Sequence, residues 1–420
     1  MKKNNLSFTI LKKVITIQFA ILFSFVLISC DTDVNELPDP DDTSEITPKI
    51  TSVDTPDSIW AGISEIVVNG QDFSPVLENN IVYFDGYSTS DASETFAVLL
   101  EATSTMLRVK VPYYVSDSVE VKVAVQGVEN FNETTFLINI KAAVIEIFGD
   151  GDNLPSGITV DNSQNLYFNH NAFGVNEGLK RFSPSGVLEN FAAKSGSFYI
   201  DLKYGRDGRV YGTRSPTVRA VFANADGGTP SAIAVANSAA KLISLDFDNN
   251  YNIWTGGVGG DVYRITEDAS DKKPFPFEPE VKSLRFYDGY IYVAAKMDST
   301  EAIYRMQVID SDNIGAAEVY FDVTANIAPY SVNAITFSSD GKMFLGTDAE
   351  GDDPNALIVV NTDGSFNTWY PRVITGPILA FAWDTGDYLY YVRGLVGDTQ
   401  VQKIMRINME MPGAPYYGRD

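Results

Sequence analysis

Two patterns of short strands predict an all-β protein, made of a small β-sandwich followed by a six-bladed β-propeller. Between Ile50 and Ile140, apolar and polar residues alternate in runs such as SEIVVNG, NIVYFDG and LRVKVP, separated by Gly, Asn, Asp and Pro. From Val144 onward, a longer unit of strand, tight turn and strand recurs six times. Period-two alternation is typical of antiparallel strands, and strand repeats of roughly 40 to 50 residues are typical of propellers.

The six repeats have a common layout, in which an apolar strand, a turn of Asp, Asn or Gly, and a strand with a central aromatic follow one another. They begin at residues 158, 202, 245, 284, 335 and 381 and read ITVDNSQNLYF, LKYGRDGRVYG, LDFDNNYNIWT, LRFYDGYIYVA, ITFSSDGKMFL and FAWDTGDYLYY. Rings that recur at repeat spacing fill the interfaces between blades, so we expect Trp254 and Trp383 to be core residues.

The ends of the propeller predict how its ring closes. The strand at 144–148, VIEIF, precedes the first repeat, whereas the last repeat holds only three convincing strands before the chain ends. A strand from one end of the chain that completes the last blade would remove the exposed edge. We therefore expect residues 144–148 to close the ring.

The glycines, strands and turns of the sandwich follow a recognisable order along the chain. Gly62, the VVNGQDF segment with Gly70 and Phe73, VYFDG with Gly86, and LRVKVP ending at Pro112 precede the VEVKVAV strand. Together they resemble the IPT/TIG family of immunoglobulin-like domains over residues 49–141. The resemblance implies a spacer or an interaction module rather than an enzyme.

The propeller also resembles known families. The stretch PSGITVDNSQNLYF is similar to blades of NHL and SMP-30/gluconolactonase-like propellers, and the propeller is predicted over residues 142–420. An SMP-30-like protein would be a calcium-dependent lactonase. Fold alone does not decide activity, because one fold carries many unrelated functions.

The start of the chain predicts export and lipid anchoring. Four lysines precede an apolar run from Val14 to Ile28, which is the layout of a secretory signal at residues 1–29. The single cysteine, Cys30, ends the sequence LISC, which resembles the lipobox of bacterial lipoproteins, where this cysteine carries the lipid. An ordinary cleaved signal with an incidental cysteine is the alternative.

An acidic tether is expected at residues 30–48, where DTDVNELPDPDDTSEITP is rich in Asp, Glu and Pro. It resembles the surface-export signals of lipoproteins from glycan-foraging Gram-negative bacteria. The expected location is therefore the outer membrane, with the lipid-anchored protein facing the exterior.

The net charge of −24 argues against nucleic acid as a partner, because phosphate backbones repel an acidic protein. Loss of residues 1–29 would remove four lysines and no acidic residue, which makes the charge still more negative. Any attachment to a membrane must then come from acyl chains.

Aromatic residues outside the repeat columns are candidate ligand contacts, since their rings can stack on sugars. The candidates are Trp60, Tyr113, Tyr114 and Trp369, with Tyr416 and Tyr417 at the tail as further surface rings; blade core is the alternative for Trp369.

Polar residues at the channel are the other candidates. Residues one or two positions before each repeat should line its mouth, and among them Asp201, Lys282 and Asn333 could hold a small ligand. One carboxylate, one amide and one lysine form a poor cage for a hard cation, so no metal site or cofactor is predicted there. Structural calcium at DGDN (150–153) or DAEGDDPN (348–355) is the alternative to solvated turns.

No catalytic residues are predicted. The only histidine, His170, is expected in a surface loop, and the sequence has no Gly-x-Ser-x-Gly elbow. Three functions stay open: a non-catalytic surface protein that captures a glycan, which we favour; a scaffold for an envelope protein; and a calcium-dependent lactonase.

Overall fold

The structure is a computed structural model that describes residues 47–85, 87–88, 97–128, 134–149, 153–194, 196–214, 219–236, 240–397 and 402–419. The predicted signal peptide, Cys30 and almost all of the predicted tether lie outside these residues. Within them, no helix combines the length and the apolar character needed to cross a membrane.

The first domain is a sandwich of two sheets. Its strands are β1 (Lys49–Asp54), β2 (Ile59–Trp60), β3 (Glu65–Gln71), β4 (Asn80–Phe84), β5 (Tyr87–Ser88), β6 (Val98–Ala102), β7 (Met106–Lys110), β8 (Ser116–Val125) and β9 (Phe136–Lys141), with a 3-10 turn at Leu77–Asn79. One sheet has the order β1-β3-β7-β6 and the other β2-β9-β8-β4-β5. Alternate residues of β8, Val119, Val121 and Val123, are fully buried between the sheets, as the period-two pattern predicts.

The second domain is a β-propeller with six blades in the described part of the chain. After β10 (Val144–Phe148), blade 1 contains β11 (Asn153–Val160), β12 (Leu166–Ala172), β13 (Val175–Phe182) and β14 (Leu188–Ala192). Blade 2 contains β15 (Tyr199–Tyr204), β16 (Val210–Arg214), β17 (Ala220–Asn224) and β18 (Ser231–Val235). Blade 3 contains β19 (Lys241–Phe247), β20 (Ile253–Val258), β21 (Val262–Ile265) and β22 (Lys272–Phe275). Blade 4 contains β23 (Glu280–Tyr287), β24 (Tyr290–Met297), β25 (Thr300–Asp310), β26 (Asn313–Ile314) and β27 (Glu318–Asp322). Helix α1 (Val323–Ile327) then leads to blade 5, which contains β28 (Val332–Phe337), β29 (Met343–Thr347), β30 (Leu357–Val360) and β31 (Phe366–Thr368). Blade 6 contains β32 (Ile378–Trp383), β33 (Tyr388–Arg393) and β34 (Lys403–Asn408).

Strand β10 closes the ring, as predicted. It pairs antiparallel with β34, with Val144 opposite Ile407 and Glu146 opposite Met405, and the sheet of blade 6 has the order β10-β34-β33-β32. The outermost strand of the last blade thus precedes the first blade in sequence, and this pairing leaves β34 without a free edge. The predicted fold class is confirmed.

The aromatic columns fill the spaces between blades. Trp254 is completely buried in a cluster with Val281 and Leu284 of the next blade, and its indole Nε1 donates to the turn carboxylate of Asp248 at 2.8 Å. Trp383 is also buried in the core. Both predictions for these rings are confirmed, because large rings supply the apolar area that a packed interface between blades needs.

The sandwich packs directly against blades 5 and 6. Ile63 of the sandwich shares a core cluster with Val373 and Ile374, and the hydroxyl of Ser64 lies 3.4 Å from Oε1 of Glu410. Gly62 has φ +70, and a Cβ at this position would lie 2.8 Å from the Val373 side chain. Glycine is needed here both for its left-handed backbone and for the close approach of the two domains.

The C-terminal tail crosses the end of the channel at which the innermost strands finish. The Ala414 amide donates to the Phe337 carbonyl at 2.9 Å, the Tyr416 hydroxyl to the Tyr204 carbonyl at 2.7 Å, and Arg419 Nη1 to the Trp383 carbonyl at 2.8 Å. These carbonyls belong to blades 5, 2 and 6. Tail and strands together line a cavity of only about 20 Å³ at this end of the channel.

Tyr416 is therefore not the surface ring that its position near the end of the chain predicted. It is 8% exposed and packs in a core cluster with Phe247, while Tyr417 is half-buried with its ring 5.6 Å from that of Phe286. Burial raises the pKa of Tyr416 well above its ordinary value. The prediction of a surface role for Tyr416 is wrong, because the tail folds back under the propeller.

Replacement of the buried tail ring should destabilise the propeller. We expect Tyr416→Ala to lower the free energy of unfolding by about 3 kcal/mol, since it leaves a cavity and removes the hydrogen bond to Tyr204. Thermal unfolding followed by circular dichroism measures the change. Phe173→Ala, at a ring that is 79% exposed, is the control and should stay within about 0.5 kcal/mol of the parent protein. Equal melting temperatures for Tyr416→Ala and the parent would contradict the role assigned to the tail.

Candidate functional site

The mouth of the channel is shaped by a β-bulge in the innermost strand of every described blade. The pairing register of the inner strand shifts near its start, and the residues passed over are Gly157, Ile200, Ile243, Lys282, Asn333 and Leu379. A bulge twists the strand and re-aims the extra side chain. Most of the extra side chains line a cavity of about 290 Å³ at the end of the channel opposite the tail.

The structure brings the three predicted polar residues together at this mouth. Asp201, Lys282 and Asn333 all line the same cavity, on blades 2, 4 and 5. Apolar side chains of Ile243 and Leu379 lie in the same lining. The mouth therefore combines a few polar groups with an apolar wall, which is the usual composition of a small-molecule site.

Asp201 already accepts three hydrogen bonds from the protein. Its Oδ1 accepts from Lys203 Nζ at 2.8 Å, and its Oδ2 accepts from the Ser244 hydroxyl at 2.7 Å and the Leu245 amide at 3.0 Å. The carboxylate thus ties blade 2 to blade 3. It can orient the wall of the mouth, but its oxygens have little capacity left for a ligand.

Lys282 is held by an acidic partner on its own blade. Its Nζ lies 3.3 Å from Oε1 of Glu301 and 2.6 Å from the Ser331 hydroxyl. Glu301 is buried and also accepts from the Val332 amide at 2.6 Å. Nζ also lies 3.4 Å from Oε2 of Glu301, so its three N–H donors already have acceptors within the protein, and the paired ammonium adds no net charge to the mouth.

Asn333 is the polar residue of the three that is free to bind. Its side chain is half-exposed in the cavity lining and makes no hydrogen bond to another described residue. An amide offers two donors and an acceptor at once. This is the pattern that recognises a hydroxyl group.

A second layer of charge lies deeper in the channel. Arg285 Nη1 contacts Asp246 Oδ1 at 3.0 Å, and Lys203 lines the same cavity. Burial raises the pKa of Asp246, although Arg285 and Lys203 act in the opposite direction. Arg285 Nε is buried and has no hydrogen-bond partner among the described residues. Each cation of the channel is matched by an anion, so a neutral ligand fits better than a charged one.

Polar side chains on the inner strands also join neighbouring blades, which the sequence did not reveal. The Ser244 hydroxyl accepts from the Leu284 amide at 3.0 Å and the Ser283 hydroxyl from the Ile335 amide at 3.1 Å. Together with the Asp201 bond to Leu245, these contacts run from blade 2 to blade 5. The signal that could have found them is the small polar residue one position before the second, third and fourth repeats.

The residues at the mouth do not fit a calcium ion. The oxygens of Asp201 are occupied by three hydrogen-bond donors, and the ammonium of Lys282 lines the same ring. Calcium needs six to eight oxygen ligands, and a neighbouring cation raises the cost of binding it. Elsewhere in the described residues, no group of three or more His, Cys, Asp and Glu side chains could hold a metal.

The acidic stretch at 348–355 forms hydrogen-bonded turns. Asp348 Oδ1 accepts from the Ser331 amide at 2.8 Å, and Asp353 accepts from the Asn355 amide and the Tyr330 hydroxyl. Residues 150–152 of the other calcium-like stretch lie outside the described residues. Calcium at either stretch stays a prediction without support from geometry.

Two of the predicted aromatic residues lie where the domains meet. Trp60 and Trp369 are half-buried and pack against the core cluster that includes Ile63 and Val373. The Trp369 ring lies 5.6 Å from that of Phe344. Their role as ligand contacts stays a prediction, but the structure gives both rings a packing function.

The fold places the two tyrosines that follow β7 in different environments. Tyr113 is 45% exposed and lines a groove between the sandwich and the propeller. Tyr114 is half-buried and packs against the sandwich core. Of the pair, Tyr113 is the one that a ligand could reach.

Exposed apolar side chains lie on the same face as the mouth, and sequence reasoning missed them. Phe173 lies in the β12–β13 hairpin and Phe198 directly precedes β15, while Met297 ends β24 and Leu395 follows β33, the second strands of blades 4 and 6. Because strands alternate in direction, all four lie on the face where the inner strands begin. All four are at least 41% exposed.

His170 does not lie in a loop, so that prediction is wrong. It belongs to β12, and its half-buried ring has Nε2 2.8 Å from Asn153 Oδ1 and packs edge-on against Phe148. The strand extends four residues beyond the end of the first repeat at Phe168, because pairing with β11 overrides local preference.

Comparisons with known proteins support this architecture. Residues 48–138 match the family model of the IPT/TIG domain. No curated protein matches the sequence.

Among solved structures, a luciferin-regenerating enzyme is 16% identical and has a TM-score of 0.51, over 65% of this chain and 98% of that one. Regucalcin, a calcium-binding protein from Agrobacterium tumefaciens, is 14% identical over 64% of this chain and 95% of that one, with a TM-score of 0.49. A protein of unknown function from Bacteroides thetaiotaomicron is 14% identical over 87% of this chain and 98% of its own, with a TM-score of 0.49. At such identities the likeness concerns the fold. The chain carries an IPT/TIG domain followed by a β-propeller.

Proposed function

We propose that this protein is a non-catalytic binding protein of the cell surface, and that it holds the end of a neutral glycan in the mouth of its propeller channel. The observation that carries the proposal is the cavity of about 290 Å³, whose lining includes the free amide of Asn333 together with Lys282. At the far end of the channel, where the tail crosses, the cavity measures only about 20 Å³, so the mouth is the end with room for a ligand.

The chemistry of the mouth favours hydroxyl groups over charged groups. Asp201 and Lys282 already have partners of opposite charge, so a charged ligand would break an existing pair or remain unpaired. Asn333 can donate and accept at the same time, which matches a sugar hydroxyl. A site built on such groups rejects ligands that lack hydroxyls, since its polar groups would then stay unpaired.

Exposed rings on the same face support a sugar ligand. Phe173 and Phe198 are 79% and 41% exposed on the face that holds the mouth. An aromatic face packs well against the C–H face of a sugar ring. A glycan that enters the mouth could therefore continue across these rings.

A protein partner from the envelope is the second candidate. Met297 and Leu395 are exposed apolar residues on the mouth face and offer no hydrogen bonds to a sugar. Exposed apolar groups that share one face favour a protein contact. In that case the propeller is a scaffold for an envelope protein.

A calcium-dependent lactonase is not proposed. That activity would need oxygen ligands for the ion at the mouth, where Asp201 already accepts three hydrogen bonds and Lys282 is cationic. We derive no reaction step for this chain.

For the start of the chain, we propose a lipid anchor at Cys30 in the outer membrane, with the propeller facing the exterior. The support is the pattern of a charged start, an apolar run and the LISC sequence, followed by an acidic segment. The lipid would be the only attachment that this acidic chain needs.

Loss of the free amide should weaken glycan binding. We expect Asn333→Ala to lower the affinity for a bound neutral oligosaccharide about tenfold, since one or two hydrogen bonds of roughly 1 kcal/mol each are lost. Isothermal calorimetry on the full chain in detergent, after a screen of polysaccharides by gel retardation, gives the number. Asn367→Ala changes an exposed amide on an outer strand and should leave the affinity unchanged.

If Asn333→Ala binds the oligosaccharide as tightly as the parent protein, the mouth is not the glycan site. If no polysaccharide in the panel binds at all, the glycan proposal fails and the envelope-protein scaffold takes its place.

Removal of the thiol should release the protein from the membrane. We expect Cys30→Ala to lose incorporation of labelled fatty acid and to leave the membrane fraction, because acyl chains provide the attachment. Ser29→Ala, which keeps a small residue beside Cys30, is the control and should stay anchored. A Cys30→Ala protein that remains in the membrane fraction would overturn the lipoprotein proposal.

A further inference from the structure

A groove of about 220 Å³ lies where the sandwich meets the segment between blades 5 and 6. We call it the junction groove, and its main lining residues are Val98, Lys110 and Tyr113 from the sandwich and Arg372 and Val373 from the propeller. It is separate from the channel mouth, because the two cavities have no lining residue in common.

The junction groove contains one cation from each domain, in a chain with a net charge of −24. Lys110 makes no hydrogen bond or ion pair with a described residue through its ammonium. Glu65 lies opposite Lys110 in the β3–β7 pairing, but its carboxylate is engaged by Arg108 at 2.8 Å. Among the described residues, the Lys110 ammonium thus has no direct counter-ion.

Partial burial makes that ammonium receptive to an anion. Burial lowers the pKa of Lys110, although Glu65 acts in the opposite direction. A desolvated cation without a contact partner is unfavourable by itself, and a carboxylate placed beside it would relieve that cost. Arg372 has an interaction within the protein, and its guanidinium has five N–H donors, so it can add a second contact to the same carboxylate.

The rest of the groove offers an apolar surface next to the charges. Tyr113 is 45% exposed, and Val98 is exposed as well, so a ring and an aliphatic side chain flank the two cations. A tyrosine face suits the C–H face of a sugar ring. Two cations beside the Tyr113 ring are suited to a ligand that is itself a compact ring with a carboxylate on one side.

The packing of the domains fixes the backbone positions from which the two cations reach the groove. A Cβ on Gly62 would lie 2.8 Å from Val373 and 3.3 Å from Tyr113, so the domains touch at the edge of the groove. Arg372 itself has φ +65, a left-handed conformation that is costly for a residue with a side chain. Fixed positions of this kind reduce the entropy lost on binding.

We propose that the junction groove is a second binding site, and that it takes a sugar with a carboxylate, such as a hexuronic acid residue. Lys110 and Arg372 hold the carboxylate, and Tyr113 packs against the ring. The site does not depend on the glycan site at the channel mouth, which selects neutral sugars. It would let one protein hold an acidic and a neutral part of a glycan at two places.

The test is calorimetry of the full chain in detergent with two probes, D-glucuronate and a glucuronate-containing oligosaccharide, and with glucose for comparison. We expect saturable binding of a glucuronate probe, and a loss of at least about tenfold in affinity for Lys110→Met and for Arg372→Gln, since each removes a charge-assisted contact. Tyr113→Ala should weaken binding as well. Binding of the oligosaccharide alone would identify the ligand as part of a glycan chain, whereas equal affinity for the monosaccharide would identify a free sugar acid.

Two controls separate binding in the groove from a general effect of charge and from binding at the channel mouth. Lys49→Met removes an exposed lysine elsewhere on the sandwich and should leave the affinity unchanged. Asn333→Ala at the channel mouth should also leave glucuronate binding unchanged, so the two proposals can fail separately. The melting temperature of each variant is measured alongside, and Arg372→Gln, at an exposed residue, serves if Lys110→Met unfolds.

The proposal is overturned if neither probe binds at millimolar concentration. It is overturned as well if Lys110→Met and Arg372→Gln, both folded, bind glucuronate like the parent protein, or if Lys49→Met weakens binding as much as they do. The last result would mean that the carboxylate responds to overall charge rather than to the groove.

Discussion

The inner strand of each blade has one edge with no strand beside it, and the backbone amides on that edge must find other partners. In this propeller, side chains of one blade supply them for the next. Asp201 accepts from the Leu245 amide, Ser244 from the Leu284 amide and Ser283 from the Ile335 amide. These bonds hold the blades at a fixed spacing around the channel. The shape and polarity of the mouth follow from them, since the same residues line it.

That constraint explains why the polar groups at the mouth differ in what they can do. Asp201 is bound to structure, and Lys282 is bound to Glu301, so neither charge is available as a strong attractor. Asn333 occupies the extra position of a bulge, where the strand is not paired and the side chain is free to reach a ligand. At the other end the tail crosses the channel, as Tyr416 reaches the carbonyl of blade 2. The balanced charges and the free amide of the cavity are the features on which the proposed binding of a neutral ligand depends.

Much of the fold could be predicted because its signals are local and repeated. Six copies of a strand, turn and strand unit determine the blades, and the unpaired strand at 144–148 determines the closure with β34. The polar residues near the start of each inner strand led to the channel mouth for the same reason. Positions that depend on long-range docking could not be predicted. Trp60 packs where two domains meet, and Tyr416 packs under the propeller. Neither residue belongs to a repeating pattern in the sequence that would indicate its contact.

In the function we propose, the ligand enters at the bulges of the inner strands, in the channel mouth. Hydrogen exchange followed by mass spectrometry, with and without saturating neutral oligosaccharide, can locate that entry. We predict slower exchange in the peptides around Ile243, Lys282 and Asn333, where the unpaired bulge residues line the cavity. Slower exchange confined to the surroundings of Trp60, Tyr113 and Trp369, with no change at the bulges, would contradict binding at the mouth.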